Sequence, residues 1–351
     1  MSFSKSALTL IHSYLSNRRQ RVKINGSFST WKDTNLGVPQ GSVLGPLLFN
    51  IYINDIFLLM NGTEICNYAD DTTIYSCGYD IRNIIIKLEQ DANHLATWFP
   101  ENYMKLNENK CHFILFGTNE KVNIHIGEAQ IEESDEEKLL GIDLDKKLSF
   151  KKHVRTLCKK ASQKLHALTR ISVYMEPDKL KLLMKTFVMS QFSYCPLIWM
   201  FHDRNLNNKI NKIHERALRI AYKDDVSSFE DLLNIDNSVT VHQRNLQLLM
   251  VEIYKTKFNL NPAFMKQIFK EKETSYNLRC SDKLQLPKAK TTCLGVDTVR
   301  FMGKKVWETL PTELKHANSL QIFKTCIKTH KCQACNCRLC KTFYANLGFL
   351  L

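Results

Sequence analysis

The apolar residues of this 351-residue chain change their spacing once, near residue 150, and that change limits what the chain can fold into. Up to residue 148, short runs suited to β-strands are interspersed with helical stretches, which predicts a mixed unit with antiparallel strands. From Phe150 onward the spacing is helical. Val154, Leu157, Cys158, Ala161, Leu165 and Leu168 form one apolar stripe, while Lys151, Lys152, Arg155, Lys159, Lys160 and Lys164 lie mostly around the other side. Leu180 to Trp199 reads as a second, more hydrophobic helix. Asn205 to Tyr222 reads as a third, with Leu206, Ile210, Ile213, Ala217 and Ile220 inward and Lys209, Lys212, Arg216 and Arg219 outward. Residues 240–325 continue as helices and loops. The fold class is therefore α+β, at a length that suits two or three packed units.

Within the front part, Ser6 to Leu15 reads as a helix, followed by the basic run NRRQRVKI and a turn at Asn25-Gly26. Phe28 to Leu36 is extended. The stretch GVPQGSVLGPLLFNIYINDI then makes a tight loop, with Pro46 suited to the first turn of a helix. That helix, Leu47 to about Met60, is apolar around most of its circumference and is expected to be buried. Ile65 to Tyr75 is a hairpin. Asp80 is the expected N-cap of an amphipathic helix carrying Ile84, Ile85, Leu88, Leu95 and Trp98, stopped by Pro100. Cys111 to Phe116, Val122 to Ile126 and Lys138 to Leu144 read as strands, with Cys66, Cys77 and Cys111 as core fillers.

Charge divides at the same place. Residues 1–150 hold 14 Lys+Arg against 19 Asp+Glu, and the remainder holds 35 against 16. A strongly basic back half points to a polyanionic partner, most simply nucleic acid; a solvated lysine-rich surface is the alternative. No apolar run is long enough to span a membrane, and MSFSKSALTL lacks the layout of a signal peptide. The expected location is intracellular, nucleus or cytoplasm, with the twelve cysteines reduced or bound to metal.

The hairpin NYADDTTIY sets Asp70 beside Asp71. Two unit charges about 4 Å apart repel by roughly 4 kcal/mol at an intermediate effective dielectric. Paired carboxylates on a turn suit a hard divalent cation such as Mg²⁺, usually completed by substrate phosphates. Alone, the dipeptide is more often a plain surface turn.

Its neighbours give it a context. Gly37-Val38-Pro39-Gln40-Gly41-Ser42 with Leu44-Gly45-Pro46-Leu47-Leu48-Phe49, followed by Tyr68-Ala69-Asp70-Asp71, resembles the reverse transcriptases of non-long-terminal-repeat (long interspersed element type) retrotransposons. Leu106-Asn107 with Lys110 resembles the family's next motif, and Leu139-Leu140-Gly141-Ile142 its primer-grip hairpin. SYCPLIW and ERALRIAY are similar to the region that follows the polymerase core.

The resemblance implies RNA-directed DNA polymerisation, in which a primer 3′-hydroxyl attacks the α-phosphate of a deoxynucleotide triphosphate with the help of Mg²⁺ or Mn²⁺. Asp70 and Asp71 would be metal ligands and Lys110 would face the departing pyrophosphate. Gly37, Pro39, Gln40, Gly41, Ser42 and Tyr68 would lie around template and nucleotide. Lys151, Lys152, Arg155, Lys159 and Lys160 would follow the backbone of an RNA template and DNA primer.

It also implies a division into a partial palm (1–148), a basic helical thumb-like region (149–223), a helical extension (224–329) and a cysteine-rich tail (330–351). In that tail Cys332, Cys335, Cys337 and Cys340 are spaced C-x2-C-x-C-x2-C, which fits Zn²⁺ thiolate ligation or simply reduced thiols. The family's earlier aspartate-bearing strand has no match before Gly37. The expectation is half a palm site without synthesis of its own, a sheet edge prone to self-association, and, as the alternative, a non-catalytic nucleic-acid-binding remnant.

Overall fold

The computed structural model describes residues 3–271, 284–289, 295–330 and 339, and it divides into two compact units. The first contains residues 1–113 and 120–133, the second 114–119 and 134–351. Cys332, Cys335, Cys337 and Cys340 lie outside the described residues.

In the first unit helix α1 (Lys5–Leu15) is capped by Ser4, whose side chain accepts from the Ala7 amide. A long hairpin follows, built from β1 (Arg18–Gln20), β2 (Lys23–Ile24), β3 (Ser27–Phe28) and β4 (Lys32–Thr34). β1 pairs with β4 and β2 with β3, around a turn in which Asn25 and Gly26 both have positive φ, 48° and 85°. Helix α2 (Gly45–Ile53) continues as a 3₁₀ turn over Asn54–Leu59.

Strands β5 (Glu64–Tyr68) and β6 (Asp71–Tyr75) form the acidic hairpin. Helix α3 (Ile81–Glu101) starts at Asp80, whose carboxylate accepts from the Arg82 amide. It runs through Pro100 to Glu101, with Asn102 as its C-cap, so the proline does not stop it as expected. Strands β7 (Asn123–Ile126) and β8 (Ala129–Glu132) pair with each other, held to α3 where Glu89 accepts from the His125 amide at 2.8 Å and Asn93 from the Gly127 amide at 2.6 Å.

Leu88, Ala92, Leu95 and Trp98 turn inward as the periodicity of α3 predicts. Leu95 and Trp98 pack with Ile53 and Ile56, and Ile65 and Ile74 of the acidic hairpin lie against this cluster. Three expectations are corrected. The helix after the GVPQG loop is not buried: Leu47, Ile51, Tyr52, Phe57 and Leu58 are exposed, because within this unit only the Ile53–Ile56 side meets α3. Residues 111–116 form no strand beyond a single bridge between Phe113 and Glu133, since no neighbouring strand completes the ladder. Cys66 and Cys77 are exposed and Cys111 half-buried, so none fills the core. Among the described residues, the five strand pairs are separate two-stranded antiparallel ladders.

The second unit opens with β9 (Glu136–Leu139) and β10 (Ile142–Asp145), then α4 (Lys151–Ile171). The stretch predicted as one helix over Leu180 to Trp199 is broken into α5 (Pro177–Leu183), a π-turn over Met184–Val188, a 3₁₀ turn over Met189–Phe192 and α6 (Pro196–Trp199). Cys195, in the left-handed region with φ 42°, and Pro196 after it enforce the last break. Helix α7 (Arg204–Tyr222) is capped by Asp203. Its buried face, with α4 and α5, encloses Val154, Cys158, Leu165, Phe192, Trp199, Ile210 and Leu218.

Helix α8 (Phe229–Ile235) has a reciprocal Ser228–Asp231 capping box. Helix α9 (Val241–Lys257) is buried on most sides and forms the centre of a further core. Short α10 (Met265–Ile268), α11 (Val299–Glu308), α12 (Thr312–Lys315) and α13 (Leu320–Thr329) gather near it. Tyr254 stacks on Phe323 with centroids 4.4 Å apart, and Trp307 packs beside them. No helix among the described residues is long and apolar enough to cross a membrane.

Candidate functional site

Alternation sets the acidic hairpin's orientation. Ile65 and Asn67 on β5, with Thr72 and Ile74 on β6, are half-buried, while Glu64, Cys66 and Tyr68 face solvent. Tyr68 pairs with Asp71, leaving Ala69 and Asp70 as the two turn residues. Ala69 sits in the left-handed region at φ 54°, a conformation that costs a non-glycine residue about 1–2 kcal/mol. The left-handed Ala69 closes the two-residue turn, and the side chains of Asp70 and Asp71 beside it are both exposed, their carboxylates with no partner among the described residues. Asn67 donates to Thr72 across the strands at 2.8 Å. At the far end Tyr75 donates to Glu64 at 2.5 Å, and this bond to a carboxylate pushes the phenol up to about 12.

The loop that feeds β5 is held by a residue that sequence reasoning missed. Asp91, on the inward side of α3, is 1% exposed. Its carboxylate accepts the amides of Asn61, Gly62 and Thr63 and the Thr63 hydroxyl, at 2.8–3.3 Å. Burial raises this carboxyl, but the bonds from Gly62, Thr63 and Asn61 outweigh it and hold the pKa below the usual 3.8. The available signal was an acidic residue at a helical position flanked by Leu88, Ala92 and Leu95.

In the GVPQG loop, Gly37 and Gly41 have φ of 74° and 80°, and a Cβ at either would meet nothing within 4 Å. Backbone conformation, rather than crowding within the chain, requires glycine there. Crowding is found at Gly45 instead, where a Cβ would lie 2.9 Å from Ser42 Oγ and 3.0 Å from the Pro39 carbonyl. The Ser42 hydroxyl donates to Pro39 O at 2.7 Å and accepts from the Gly45 amide at 3.0 Å, so it closes the loop onto α2. Pro39 is half-buried and Gln40 exposed. Arg18 binds the loop's entry through the carbonyls of Leu36 and Gly37. Lys110 lies on a separate 3₁₀ turn, Glu108–Lys110, exposed and without an ion pair among the described residues.

In the second unit, Leu140 and Gly141 turn β9 into β10 with φ of 45° and 85°. The Leu140 carbonyl accepts from the Tyr194 hydroxyl at 2.7 Å. Helices α4 and α7 border a groove of about 880 Å³ lined by Arg155, Lys159, Ser162, Gln163, His166, Arg170, Leu206 and Lys209. Lys212 and Arg216 line the adjoining cleft. No acidic side chain lines either space, and none of these cations is ion-paired among the described residues.

Of the basic residues singled out by sequence, Arg155 and Lys159 face this groove; Lys151, Lys152 and Lys160 are exposed but do not line it, and Lys152 pairs with Glu136. Lys209, Lys212 and Arg216 come from the outward face that spacing assigns to the third helix, while Gln163, His166 and Arg170 fall on the same helical row as Arg155 and Lys159. Among the described residues, no three His, Cys, Asp or Glu side chains gather as a metal site. Two exposed oxygen-donor carboxylates do fit a magnesium-type ion that is completed by substrate phosphates.

A family profile described as reverse transcriptase (RNA-dependent DNA polymerase) matches residues 1–144. The RNA-directed DNA polymerase from mobile element jockey of Drosophila melanogaster is 29% identical over 164 residues, covering 44% of this chain and 18% of that protein. The probable RNA-directed DNA polymerase from transposon X-element of the same species is 30% identical over 154 residues, covering 41% and 17%. The jockey polymerase of Drosophila funebris is 27% identical over 232 residues, covering 62% and 25%. The chain thus spans a quarter or less of the length of these relatives. No solved structure matches it. The first 144 residues, with the YADD hairpin and the GVPQG loop, belong to the reverse transcriptase family, in the branch carried by non-long-terminal-repeat retrotransposons.

Proposed function

We propose that this chain is the catalytic-hairpin side of an RNA-directed DNA polymerase, joined to a surface that holds the template–primer backbone. The observation that carries this reading is the strained two-residue turn that presents Asp70 and Asp71 together. These carboxylates would hold Mg²⁺ or Mn²⁺, which supplies charge neutralisation for nucleotidyl transfer. Gln40 and the Gly37–Gly41 backbone would lie against template and nucleotide, with Tyr68 beside the turn and Lys110 near the leaving pyrophosphate. Pro39 and Ser42 act through loop shape, since the Ser42 hydroxyl is engaged with Pro39 and Gly45.

The groove between α4 and α7 would take phosphates of the template–primer, with Arg155, Lys159, Lys209 and Arg216 as the charges. Because no third carboxylate joins Asp70 and Asp71 among the described residues, the chain by itself is expected to bind nucleic acid without extending a primer. That outcome is also the signature of the binding-only reading, which the unpaired groove cations support.

Primer extension on an RNA template with Mg²⁺ or Mn²⁺ tests it. Binding without synthesis is the expected result for this chain. Template-dependent synthesis abolished by Asp70→Asn would show that the catalytic set is already complete. In a longer polymerase containing this segment, Asp70→Asn is expected to abolish synthesis; retained activity would refute the assignment of the turn.

A further inference from the structure

The hairpin Arg18–Thr34 has no function in the scheme above, yet its surface is unusual. Every residue from Arg19 to Asp33 is exposed, including Val22, Ile24, Phe28 and Trp31. Its register explains how the rings are presented. Gln20 pairs with Lys32 and Lys23 with Phe28, so two residues on one arm face three on the other. This bulge twists the ribbon, and the Ser29 hydroxyl accepting from the Val22 amide at 2.9 Å fixes it.

The Arg21 guanidinium lies 3.8 Å from the Phe28 ring centroid and 4.6 Å from that of Trp31, and the Lys23 ammonium lies 5.2 Å from Phe28. Phe28 and Trp31 nevertheless remain 50% and 56% exposed. The ribbon carries five cations, Arg18, Arg19, Arg21, Lys23 and Lys32, against Asp33 alone, which pairs with Arg19 at 2.8 Å.

Half-exposed aromatic rings among cations of which only Arg19 is ion-paired match one class of ligand better than any other. Bases stack on such rings whatever their identity, while cations meet the phosphates. A guanidinium lying over a ring still presents its N–H edge to a phosphate. A duplex hides its base faces and cannot use the rings. We propose that this hairpin is a stacking platform for an unpaired nucleic-acid strand, with Trp31 and Phe28 under the bases and Arg21 and Lys23 on the backbone. Arg18 couples the platform to Gly37 through the carbonyl it holds, so a strand lying here leads towards the GVPQG loop. The proposal rests on the nucleic-acid reading above but not on catalysis.

The chain supplies its own reporter. Of its four tryptophans, Trp98, Trp199 and Trp307 are buried, so Trp31 alone is open to quenching by a bound base. The full chain is titrated with oligo(U), oligo(dT), a blunt DNA duplex and heparin, following tryptophan emission and, separately, anisotropy of labelled ligand. Both single strands should quench saturably, with the RNA and DNA arms ranking the two sources, while duplex and heparin bind without quenching. Trp31→Ala should weaken single-strand binding by about tenfold with unchanged melting, Trp31→Phe should retain it, and Arg21→Gln should weaken it.

Absence of single-strand binding, single-strand binding without quenching, equal quenching by duplex, or unchanged affinity in Trp31→Ala would each overturn the proposal. So would quenching that grows with protein concentration alone, which would make the hairpin a protein contact. A Lys159→Gln/Lys209→Gln variant separates the two readings. It should lower affinity for every ligand while leaving the quenching amplitude at saturation unchanged. If it changes no affinity while oligo(U) still quenches Trp31, the groove reading fails and the platform stands.

Discussion

The Thr63 amide and the Thr63 hydroxyl both donate at 2.8 Å to the same carboxylate oxygen of Asp91. This clamp is what attaches the start of the acidic hairpin to α3. Asp91→Ala leaves three amides of residues 61–63 without their acceptor and is expected to cost about 3 kcal/mol. Denaturant unfolding of the wild-type and variant chains measures it. Because the folded carboxyl titrates below the ordinary 3.8, its contribution is complete above that value and is lost as pH falls through the lower folded one. The difference between wild type and variant should therefore shrink in acid; a constant difference would contradict the clamp.

His214 is buried beside Arg244 and Asp236. Burial, and then the positive charge of Arg244, lower its pKa to about 4, against the pull of Asp236. The folded state thus holds this proton less well than the unfolded one, so stability is full above 6.5 and falls as pH drops towards 4. At about pH 5 the loss should be roughly 2 kcal/mol relative to neutral pH, at about 1.4 kcal/mol per unit. Burial lowers His153 as well, opposed by Asp143, and adds in the same direction. Unfolding curves of His214→Gln should show a shallower acid slope than wild type.

Tyr194→Phe removes the bond to the Leu140 carbonyl but keeps the ring near Gly141. The expected loss of global stability is about 1 kcal/mol. Hydrogen exchange gives the sharper readout, since amides of residues 136–145 should exchange faster than in wild type while those of α9 do not.

Gly45→Ala drives a methyl group against Ser42 Oγ and the Pro39 carbonyl and is expected to cost about 1–3 kcal/mol through displacement of the loop. Gly41→Ala meets no atoms and should cost only the left-handed penalty, about 1–2 kcal/mol. A longer polymerase containing this segment distinguishes a second role for Gly41. Activity lost there well beyond the stability change would show that template or nucleotide approaches its backbone.

Removing groove cations should flatten salt dependence. Each of Arg155, Lys159 and Lys209 changed to Gln is expected to reduce the slope of log affinity against log salt by about one. Lys152, already paired with Glu136, should contribute less, and the same titration compares them.

Legibility in the sequence followed the range of the forces involved. The stripes of α4 and α7 repeat through many turns, so Val154, Cys158, Ala161, Ile210 and Ala217 could be placed inside from spacing alone. The Asn25-Gly26 turn and the Asp80 cap were equally readable, because each is satisfied within a few residues. Residues 111–116 were not, since a strand exists only through a partner and Phe113 finds just one bridge. Burial of the helix after GVPQG was also misjudged, because apolar composition says nothing about which neighbours are there to cover it. At the candidate site the carboxylate pair and the loop were visible as motifs. Asp91 was not, because its function depends on four donors some thirty residues away in sequence.

The junction after β10 has a mechanical consequence. Asp145 accepts from the amides of Lys147, Ser149 and Phe150 and from the Ser149 hydroxyl, while Leu148 and Phe150 are both fixed in left-handed backbone at φ 48° and 54°. At the other end of the same hairpin, Tyr194 pins Leu140. A ribbon braced at its root and at its tip cannot pivot on its own. Its root is fixed at the start of α4 and its tip at Tyr194, just before α6, so the ribbon is a strut that ties these two parts of the helical unit together.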